Sequence, residues 1–341
     1  MKKVAIIGPF RAANPINGQT VKTKNLRDAL AISSETEITE VDTYCWKKHP
    51  IRLLLKTKRA MKYCDSVVML PAHNGVKIFS LLLLFFNRFY KKKLYYNVIG
   101  GWLPQMLSAN SGLLRRLQKF DGVWVETNTM KNALAKIGMK NVEVLVNFKD
   151  LVPLKEEELN PSIAFPVKLV VFSRVSALKG VSDAMIAIKN ANAEQNRFTL
   201  DIYGPIDGEY QSEFDGLLKE NKGAVTYRGV IDPGKSVAVL KDYDALLFPT
   251  KSYTEGIPGT IIDAYCAGLP VVSAKWESYG DICYEGSTAL GYTFGDTKDL
   301  QNVLNRIAVN PEILVSMRKN CLIQAEKYIY SAAAAQLMEM L

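Results

Sequence analysis

The segment from Glu255 to Asp263 combines residue types that can hold a sugar linked to a diphosphate. A tight loop is predicted after Glu255 because three residues there favour turns: Gly256, Pro258 and Gly259. The loop ends where a helix is predicted to begin near Thr260, and the free backbone N–H groups of a helix start favour a phosphate. Asp263 stands eight residues after Glu255 and one turn into that helix, where a carboxylate can accept hydrogen bonds from two ribose hydroxyls.

This spacing resembles the Glu-x7-Glu signature of retaining glycosyltransferases of the GT-B fold, family 4, with Asp263 in the second acidic place. The resemblance covers nearly the whole chain and is stronger in its C-terminal half. It implies that Arg174, and Lys179 in Leu178-Lys179-Gly180, grip the donor diphosphate. Two cations and a helix start would stabilise the charge that builds on the leaving oxygen without a metal. The alternative is that both are solvated surface charges, as isolated cations near a strand end often are.

Two further segments, Asp201–Pro205 and Tyr227–Val230, resemble the strand-to-loop turns that enclose the base in this family. Glycine there allows the backbone to approach a flat ring closely, although either segment could equally be an ordinary strand-end turn. In all, the resemblance implies nucleotide-sugar contacts at Gly18, Arg174, Lys179, Gly204, Val230, Glu255, Gly256, Ile257, Pro258, Gly259, Thr260 and Asp263. Glu255 would hold hydroxyls of the transferred sugar rather than act as a nucleophile.

The segment Asn14–Thr20 follows the first predicted strand and occupies the place of the family's glycine-containing loop beside the donor phosphate and the acceptor. It lacks the Gly-x-Gly-x-x-Gly spacing of a dinucleotide site, which argues against a nicotinamide enzyme. The acceptor contacts predicted from this half of the chain are Asn17, Gly100, Gly101, Trp102 and Asn128.

One position departs from the family pattern. Many members have a histidine that contacts the donor sugar at the end of the strand that here reads Leu94–Ile99, but this chain continues with Gly100-Gly101-Trp102. His73, in the loop after the preceding strand, could take a similar catalytic role. Alternatively, His73 is an ordinary surface or hydrogen-bonding residue.

Asp242 and Asp244 match the Asp-x-Asp motif with which the other large glycosyltransferase fold, GT-A, binds a divalent metal. Here the motif precedes a predicted strand instead of ending one, which favours turn or helix-end roles. The five cysteines contain no C-x-x-C pair and only His49 and His73 accompany them, so a structural zinc site is not expected. We predict a metal-independent protein without a cofactor.

Charge is divided unevenly along the chain. Residues 1–150 contain 25 Lys and Arg against 10 Asp and Glu, whereas residues 151–341 contain 18 against 24. No recognisable nucleic-acid motif surrounds the basic residues, and an anionic membrane surface explains them at least as well. The scattered cysteines favour a reducing cytoplasm, and the residues after Met1 do not form a signal-peptide core.

The apolar run Ile78–Phe86 ends in Arg88 and the triple lysine at 91–93. Nine residues cannot span a bilayer, which needs about 20. A helix with a broad apolar face and a basic end could lie in the headgroup region, or it could pack on a sheet as ordinary core. Both can hold for different faces of one helix.

Short strand-like runs alternate with helical stretches, which is the rhythm of a parallel sheet. Eleven strands are predicted: Val4–Ile7, Glu37–Val41, Ser66–Leu70, Lys93–Val98, Gly122–Val125, Val142–Leu145, Lys168–Ser173, Thr199–Tyr203, Val225–Tyr227, Ala245–Phe248 and Val271–Ser273. We expect an α/β protein of the GT-B class, with two facing Rossmann-like domains and a deep cleft between them. The predicted ranges are an acceptor domain over 1–155, a linker over 156–166, a nucleotide-sugar domain over 167–325, and a C-terminal helix over 326–341 that packs back on the first domain.

These patterns together predict a retaining glycosyltransferase of bacterial cell-surface polysaccharide synthesis. It would move a sugar from a nucleotide diphosphate, with UDP favoured, to a glycan acceptor. The resemblance and the basic first half imply that this acceptor is carried on a polyprenyl diphosphate at the inner face of the membrane. The competing hypothesis is a non-catalytic GT-B subunit that binds a nucleotide sugar and supports a partner transferase. A sugar-nucleotide epimerase would need acid–base carboxylates that the sequence does not identify.

Overall fold

The computed structural model describes residues 1–11, 18–32, 35–44 and 48–341. The chain forms two compact units. The N-terminal unit comprises Met1–Phe148 and Tyr330–Leu341, and the C-terminal unit comprises Lys149–Ile329. In the part of the chain that the structure describes, each unit is built on one parallel sheet of six strands with helices packed around it. The predicted α/β fold with two sheets is confirmed.

The N-terminal sheet has the strand order β2-β1-β3-β4-β5-β6. Its strands are β1 (Lys2–Gly8), β2 (Thr36–Asp42), β3 (Ser66–Met69), β4 (Lys93–Asn97), β5 (Gly122–Val125) and β6 (Val142–Val144). The helices that follow them are α1 (Gly18–Ala31), α2 (Pro50–Tyr63), α3 (Asn74–Tyr90), α4 (Leu103–Ser108), α5 (Ser111–Leu117) and α6 (Asn128–Lys136). The central strands are continuous apolar runs because helices cover both faces of a parallel sheet, and Val4 to Ile7 are completely buried.

The C-terminal sheet has the order β12-β11-β10-β7-β8-β9. Its strands are β7 (Val167–Phe172), β8 (Phe198–Tyr203), β9 (Val225–Gly229), β10 (Ala245–Phe248), β11 (Val271–Ala274) and β12 (Ala289–Tyr292). Its helices are α7 (Val181–Ala191), α8 (Gln211–Glu220), α9 (Ser236–Leu240), α10 (Gly259–Cys266), α11 (Thr297–Val309) and α12 (Glu312–Ala325). The chain builds outward from β7 to β9 on one side and from β10 to β12 on the other. The order therefore reverses between β7 and β10, which is the topological switch point of this sheet.

The last helix, α13 (Tyr330–Met340), belongs to the N-terminal unit. Ala333 and Leu337 are buried in the same apolar cluster as Val4 and Leu26. Polar contacts also attach the helix to that unit. Among them, the Tyr330 hydroxyl bonds to Asn25 Oδ1 at 3.0 Å, and Gln336 Nε2 donates to the Val144 carbonyl at 2.6 Å.

The segment predicted as a linker, residues 156–166, lies inside the C-terminal unit. The Leu154 N–H donates to the Cys266 carbonyl at 2.8 Å, and Glu156 pairs with Lys319 at 2.9 Å. Leu159 packs so closely on Gly268 that a Cβ there would lie 2.2 Å from Leu159 Cδ2. The chain passes from one unit to the other at Phe148 and Lys149, ahead of the polar residues that suggested a linker.

The apolar run Ile78–Phe86 lies within α3, and its two faces have different surroundings. Phe79, Leu83 and Phe86 are buried in the core, whereas Leu81 is 61% exposed and Phe85 is 52% exposed. Within the described ranges, no helix combines the length and the apolar character that crossing a membrane requires. Leu81 and Phe85 add apolar area to the surface of the N-terminal unit.

Candidate functional site

The predicted donor residues gather at the switch point of the C-terminal sheet. Arg174 and Lys179 follow the end of β7, and Glu255 follows the end of β10, which pairs directly with β7. The crevice outside the carboxyl ends of two such strands is the usual ligand site of an open α/β sheet. The strand order thus brings together residues that stand about 80 positions apart in the sequence.

Gly180 fixes the position of Lys179 beside the β10 loop. It has a φ of 68°, in the left-handed region, and a Cβ there would lie 1.8 Å from the Pro249 carbonyl oxygen. The Lys251 N–H also donates to the Leu178 carbonyl at 2.9 Å. Only glycine allows the two loops to approach this closely.

The Lys179 ammonium pairs with the Glu255 carboxylate, and both side chains are partly buried, with 27% and 18% of their surface exposed. Thr250 Oγ1 donates a second hydrogen bond to Glu255 Oε1 at 3.3 Å. The Lys179 nitrogen also lies 5.8 Å from the centre of the Phe248 ring. A carboxylate held in this way can accept hydrogen bonds from sugar hydroxyls, and the adjacent ammonium can donate to a phosphate.

Arg174 is exposed directly beyond β7, next to the end of β8. Gly204 makes this approach possible, because its φ is 137° and a Cβ there would lie 1.8 Å from the Ser173 carbonyl oxygen. The Gly204 N–H donates to the Gly229 carbonyl at 2.9 Å, and Val230 follows with 64% of its surface exposed. Arg174, Gly204 and Val230 therefore lie at the carboxyl ends of three neighbouring strands.

The start of α10 can receive an anion. The Pro258 N-cap carries no side-chain cap, and the first turn contains no acidic residue among the described residues. Gly256, Ile257 and Pro258 are buried and lead into Gly259, the first residue of the helix. The Thr260 hydroxyl oxygen is buried, and no described residue bonds to it. The N–H groups of a helix start, together with a buried hydroxyl that has no partner among the described residues, can donate to a phosphate oxygen.

Asp263, the residue predicted to contact ribose, lies in a buried polar cluster. It is 2% exposed, and its two carboxylate oxygens lie 2.6 and 2.7 Å from Lys149 Nζ. Ser236 Oγ donates to Oδ1 at 2.7 Å. Burial raises the pKa of the Asp263 carboxyl, while the Lys149 ammonium and the Ser236 hydroxyl act in the opposite direction. Its oxygens are bonded within the C-terminal unit, and the ribose contact stays a prediction.

The two aspartates of the Asp-x-Asp sequence face different surroundings. Asp242 is exposed, whereas Asp244 is buried. Asp244 accepts a hydrogen bond from the Lys168 N–H and pairs with Arg318, both at 2.9 Å. Among the described residues, no group of three or more His, Cys, Asp and Glu side chains is arranged to hold a metal.

In the N-terminal unit, the structure brings two predicted residues into contact. The rings of His73 and Trp102 stack with centroids 4.3 Å apart, and His73 has an uncommon φ of 43°. Gly100 has a φ of 79°, and Gly101 is buried. The remaining residues predicted here lie at helix starts: Gly18 begins α1, and the exposed Asn128 begins α6. Asn17 lies outside the described residues, and the catalytic role of His73 stays a prediction.

Sequence reasoning missed three residues that shape the candidate site. Thr250 bonds to Glu255, and its signal was its position directly after a buried strand. Lys149 and Ser236 hold Asp263, but each is far from it in sequence and carries no local signal.

Comparison with known proteins finds one family whose model matches part of the C-terminal unit. Residues 166–310 match the model of the family described as glycosyl transferases group 1, and Arg174, Lys179 and Glu255 all lie in that range. HepE from Anabaena, solved with UDP and glucose, superposes with a TM-score of 0.75 at 15% identity over 99% of both chains. The fold is GT-B.

Two other GT-B structures are similar over almost the whole chain. Sucrose-phosphate synthase from Thermosynechococcus elongatus has a TM-score of 0.76 at 16% identity, covering 100% of this chain and 98% of its own. The lipopolysaccharide outer core galactosyltransferase WaaB, in its apo form, has a TM-score of 0.71 at 17% identity, covering 99% and 98%. Comparison of the sequence with curated proteins finds no match.

Proposed function

We propose that this chain is a retaining glycosyltransferase of family 4 that uses a nucleotide-diphosphate sugar, with UDP as the nucleotide. The observation that carries the proposal is the assembly of Lys179, Glu255 and the uncapped start of α10 at the switch point of the C-terminal sheet. The match of residues 166–310 to glycosyl transferases group 1 supports the reaction class, and the UDP in HepE supports the nucleotide.

The reaction needs no metal in this proposal. The bond between the anomeric carbon and the diphosphate oxygen breaks, and its electron pair leaves with the nucleoside diphosphate. Lys179, Arg174 and the N–H groups at the start of α10 stabilise the charge on the departing oxygen. Glu255 holds hydroxyls of the transferred sugar. The acceptor hydroxyl attacks through an oxocarbenium-like state on the face that the diphosphate leaves, and its proton passes to a departing phosphate oxygen.

The acceptor in this proposal is a glycan carried on a lipid, as in the synthesis of a bacterial surface polysaccharide. The basic N-terminal unit and the exposed apolar face of α3 support peripheral attachment to the inner face of the cell membrane. Cationic side chains near an anionic surface each contribute about 1 kcal/mol of binding energy.

This proposal can be tested with a panel of nucleotide sugars. Each is examined first by thermal shift and then in transfer assays. A true donor at 100 times its dissociation constant should stabilise the fold by about 2.7 kcal/mol. Glu255→Gln should lower turnover more than donor affinity, since the carboxylate is assigned to the sugar, and Glu277→Gln serves as a matched exposed control. Donor binding without transfer to any acceptor would favour the non-catalytic subunit, and no stabilisation by any nucleotide sugar would contradict both hypotheses.

A further inference from the structure

A second concave site lies in the N-terminal unit, at the carboxyl ends of β1 and β2. It is a cavity of about 260 Å³ whose charged lining consists of Arg11, Asp42, Lys48, Arg52 and Lys56. We call this cavity the basic pocket. With four cations and one carboxylate, its described lining carries a clear excess of positive charge.

The single carboxylate of the basic pocket is already engaged. Asp42 Oδ1 accepts hydrogen bonds from the Phe10 N–H at 3.0 Å and the Tyr44 N–H at 2.9 Å. Its other oxygen lies 3.3 Å from Arg11 Nε. Asp42 therefore stabilises the loops after β1 and β2. Lys48, two residues before α2, and Arg52 and Lys56, in its first two turns, form no ion pair with a described residue and can bind an anion.

An apolar groove of about 690 Å³ lies between α2 and α3, on the opposite flank of α2 from the basic pocket. It is lined by Ile51, Leu54, Ile78, Leu81 and Phe85, all of them exposed side chains. Ile78 and Phe85 are seven residues apart, so the groove runs about 10 Å along α3. Lys77 at its rim is the one charged residue of its described lining.

The exposed surface of α2 connects the two cavities. At about 100° per residue, Leu54, Ile51 and Leu55 follow one another around the helix, and Arg52 and Lys56 come next. Ile51 is 73% exposed and Leu55 is 61% exposed, which is unusual for adjacent large apolar side chains. An apolar path therefore leads from the groove, across the first turns of α2, to the basic pocket.

We propose that the basic pocket binds the diphosphate of a lipid-linked acceptor, and that the groove between α2 and α3 receives its lipid chain. This inference rests on the lipid-linked acceptor of the proposed function. Charge complementarity selects the occupant, because guanidinium and ammonium groups bind phosphate oxygens and a diphosphate carries more negative charge than the single phosphate of a phospholipid. The adjacent apolar path selects an amphiphile over a free anion.

Calorimetry with the full-length chain tests the proposal, using farnesyl diphosphate as a soluble lipid diphosphate. Titrations are run with UDP at saturation, so that the site at Lys179 does not compete. We expect farnesyl diphosphate to bind at least tenfold more tightly than inorganic diphosphate, farnesol or dihexanoyl phosphatidylglycerol. Equal affinity for inorganic diphosphate would show that the groove contributes nothing, and equal affinity for phosphatidylglycerol would indicate a general anionic lipid surface; either result overturns the proposal.

Variants locate the two parts of the ligand. The double substitution Arg52→Gln with Lys56→Gln should lower the affinity for farnesyl diphosphate and for inorganic diphosphate tenfold or more. The double substitution Leu81→Asn with Phe85→Asn should lower the affinity for farnesyl diphosphate and leave the affinity for inorganic diphosphate unchanged. Lys131→Gln with Lys136→Gln, two exposed lysines on α6, is the control of equal charge and should change neither. Loss of affinity in the control alone, or in no variant, contradicts the assigned site.

These experiments distinguish a failure of the lipid-diphosphate site from a failure of the proposed function. UDP binding in each variant reports on the C-terminal unit and on folding. If nucleotide sugars bind and transfer proceeds while farnesyl diphosphate does not bind, this inference falls and the proposed function stands. If farnesyl diphosphate binds through Arg52 and Lys56 while no nucleotide sugar binds, the pocket stands and the proposed transferase falls.

Discussion

At the residue scale, the ion pair between Lys179 and Glu255 determines how the candidate donor site responds to its ligand. Both groups are partly buried, so each depends on the other for electrostatic compensation. A diphosphate that reaches Lys179 enters as a second anion beside the Glu255 carboxylate. Arg174 is exposed and forms no ion pair with a described residue, so its positive charge is not offset by a neighbouring carboxylate there.

We therefore expect Lys179→Ala to weaken UDP binding more than Arg174→Ala does. A charge-assisted hydrogen bond contributes roughly 1.5–3 kcal/mol, and the lysine variant also leaves Glu255 uncompensated beside the phosphate. Calorimetric titration with UDP measures both effects. Lys189→Ala, which removes an exposed lysine of α7 that pairs with Glu220, is the control. Wild-type affinity in both site variants would remove the proposed diphosphate clamp.

Asp263→Asn should reduce stability rather than nucleotide affinity. Its charge compensates Lys149 inside the unit, and breaking a buried ion pair costs about 3–5 kcal/mol, with the lower end expected because Lys149 is 18% exposed. Urea denaturation measures the loss, and Lys149→Met in the Asp263→Asn background should restore part of it. If stability is unchanged and UDP affinity falls instead, the ribose assignment made from the sequence is correct.

At the scale of the elements, close backbone contacts bring the strand-end loops together. Gly180 and Gly204 each leave no room for a Cβ against a neighbouring carbonyl oxygen. Their effect is to place the residues before them, Lys179 and Tyr203, at the end of the sheet where β7, β8 and β10 meet. The geometry of the candidate site is thus set by two glycines and the strand order.

Gly180→Ala should lower both stability and UDP affinity. Gly286→Ala is a matched control, because Gly286 has a φ of 71°, close to the 68° of Gly180, and open space around its missing Cβ. A left-handed alanine costs about 1–2 kcal/mol at either position, and overpacking adds about 1–3 kcal/mol at Gly180 alone. Thermal unfolding and UDP calorimetry of both variants give the comparison. Equal losses in the two would show that the Pro249 contact is unimportant.

The sequence predicted eleven strands at or within a few residues of their observed positions. For the central strands the signal was an apolar run, because a covered parallel sheet buries both of its faces. It missed β12, whose four residues include a glycine and lie at an edge of the sheet. It identified the loop at Glu255 and the helix start at Thr260 from local turn chemistry. It could not identify the partners of Asp263, since Lys149 is 114 residues away and only tertiary structure brings the two together.

At the scale of the whole molecule, positive charge and exposed apolar surface occur in the same unit. Residues 1–150 hold 25 of the 43 Lys and Arg residues, and α2 and α3 expose Ile51, Leu55, Leu81 and Phe85. Basic side chains around an apolar face are typical of proteins that bind the headgroup region of a membrane. Residues 151–341 hold 18 Lys and Arg against 24 Asp and Glu, so this half of the chain has a net negative charge.

We expect salt-sensitive binding to anionic vesicles and little binding to neutral ones. Each basic residue near the surface contributes about 1 kcal/mol, and screening acts within about 8 Å at physiological salt. Replacing Lys91, Lys92 and Lys93 with glutamine should weaken sedimentation with vesicles. The same change at Lys219, Lys222 and Lys235, three exposed lysines of the C-terminal unit, is the control. Equal sedimentation with both kinds of vesicle, or with neither, would remove the support for membrane attachment.

Because α13 packs on the N-terminal unit, that unit cannot complete its core until the end of this sequence has been synthesised. Residues 1–148 emerge first, but Ala333 and Leu337 complete the apolar cluster around Val4. At about 5–20 residues per second, roughly 10 to 40 seconds pass before those residues are made. During that interval the nascent N-terminal unit exposes part of its core, and the C-terminal unit, which is continuous in sequence, can fold first. Chaperone dependence during synthesis is therefore expected to concentrate in residues 1–148, which are made before α13.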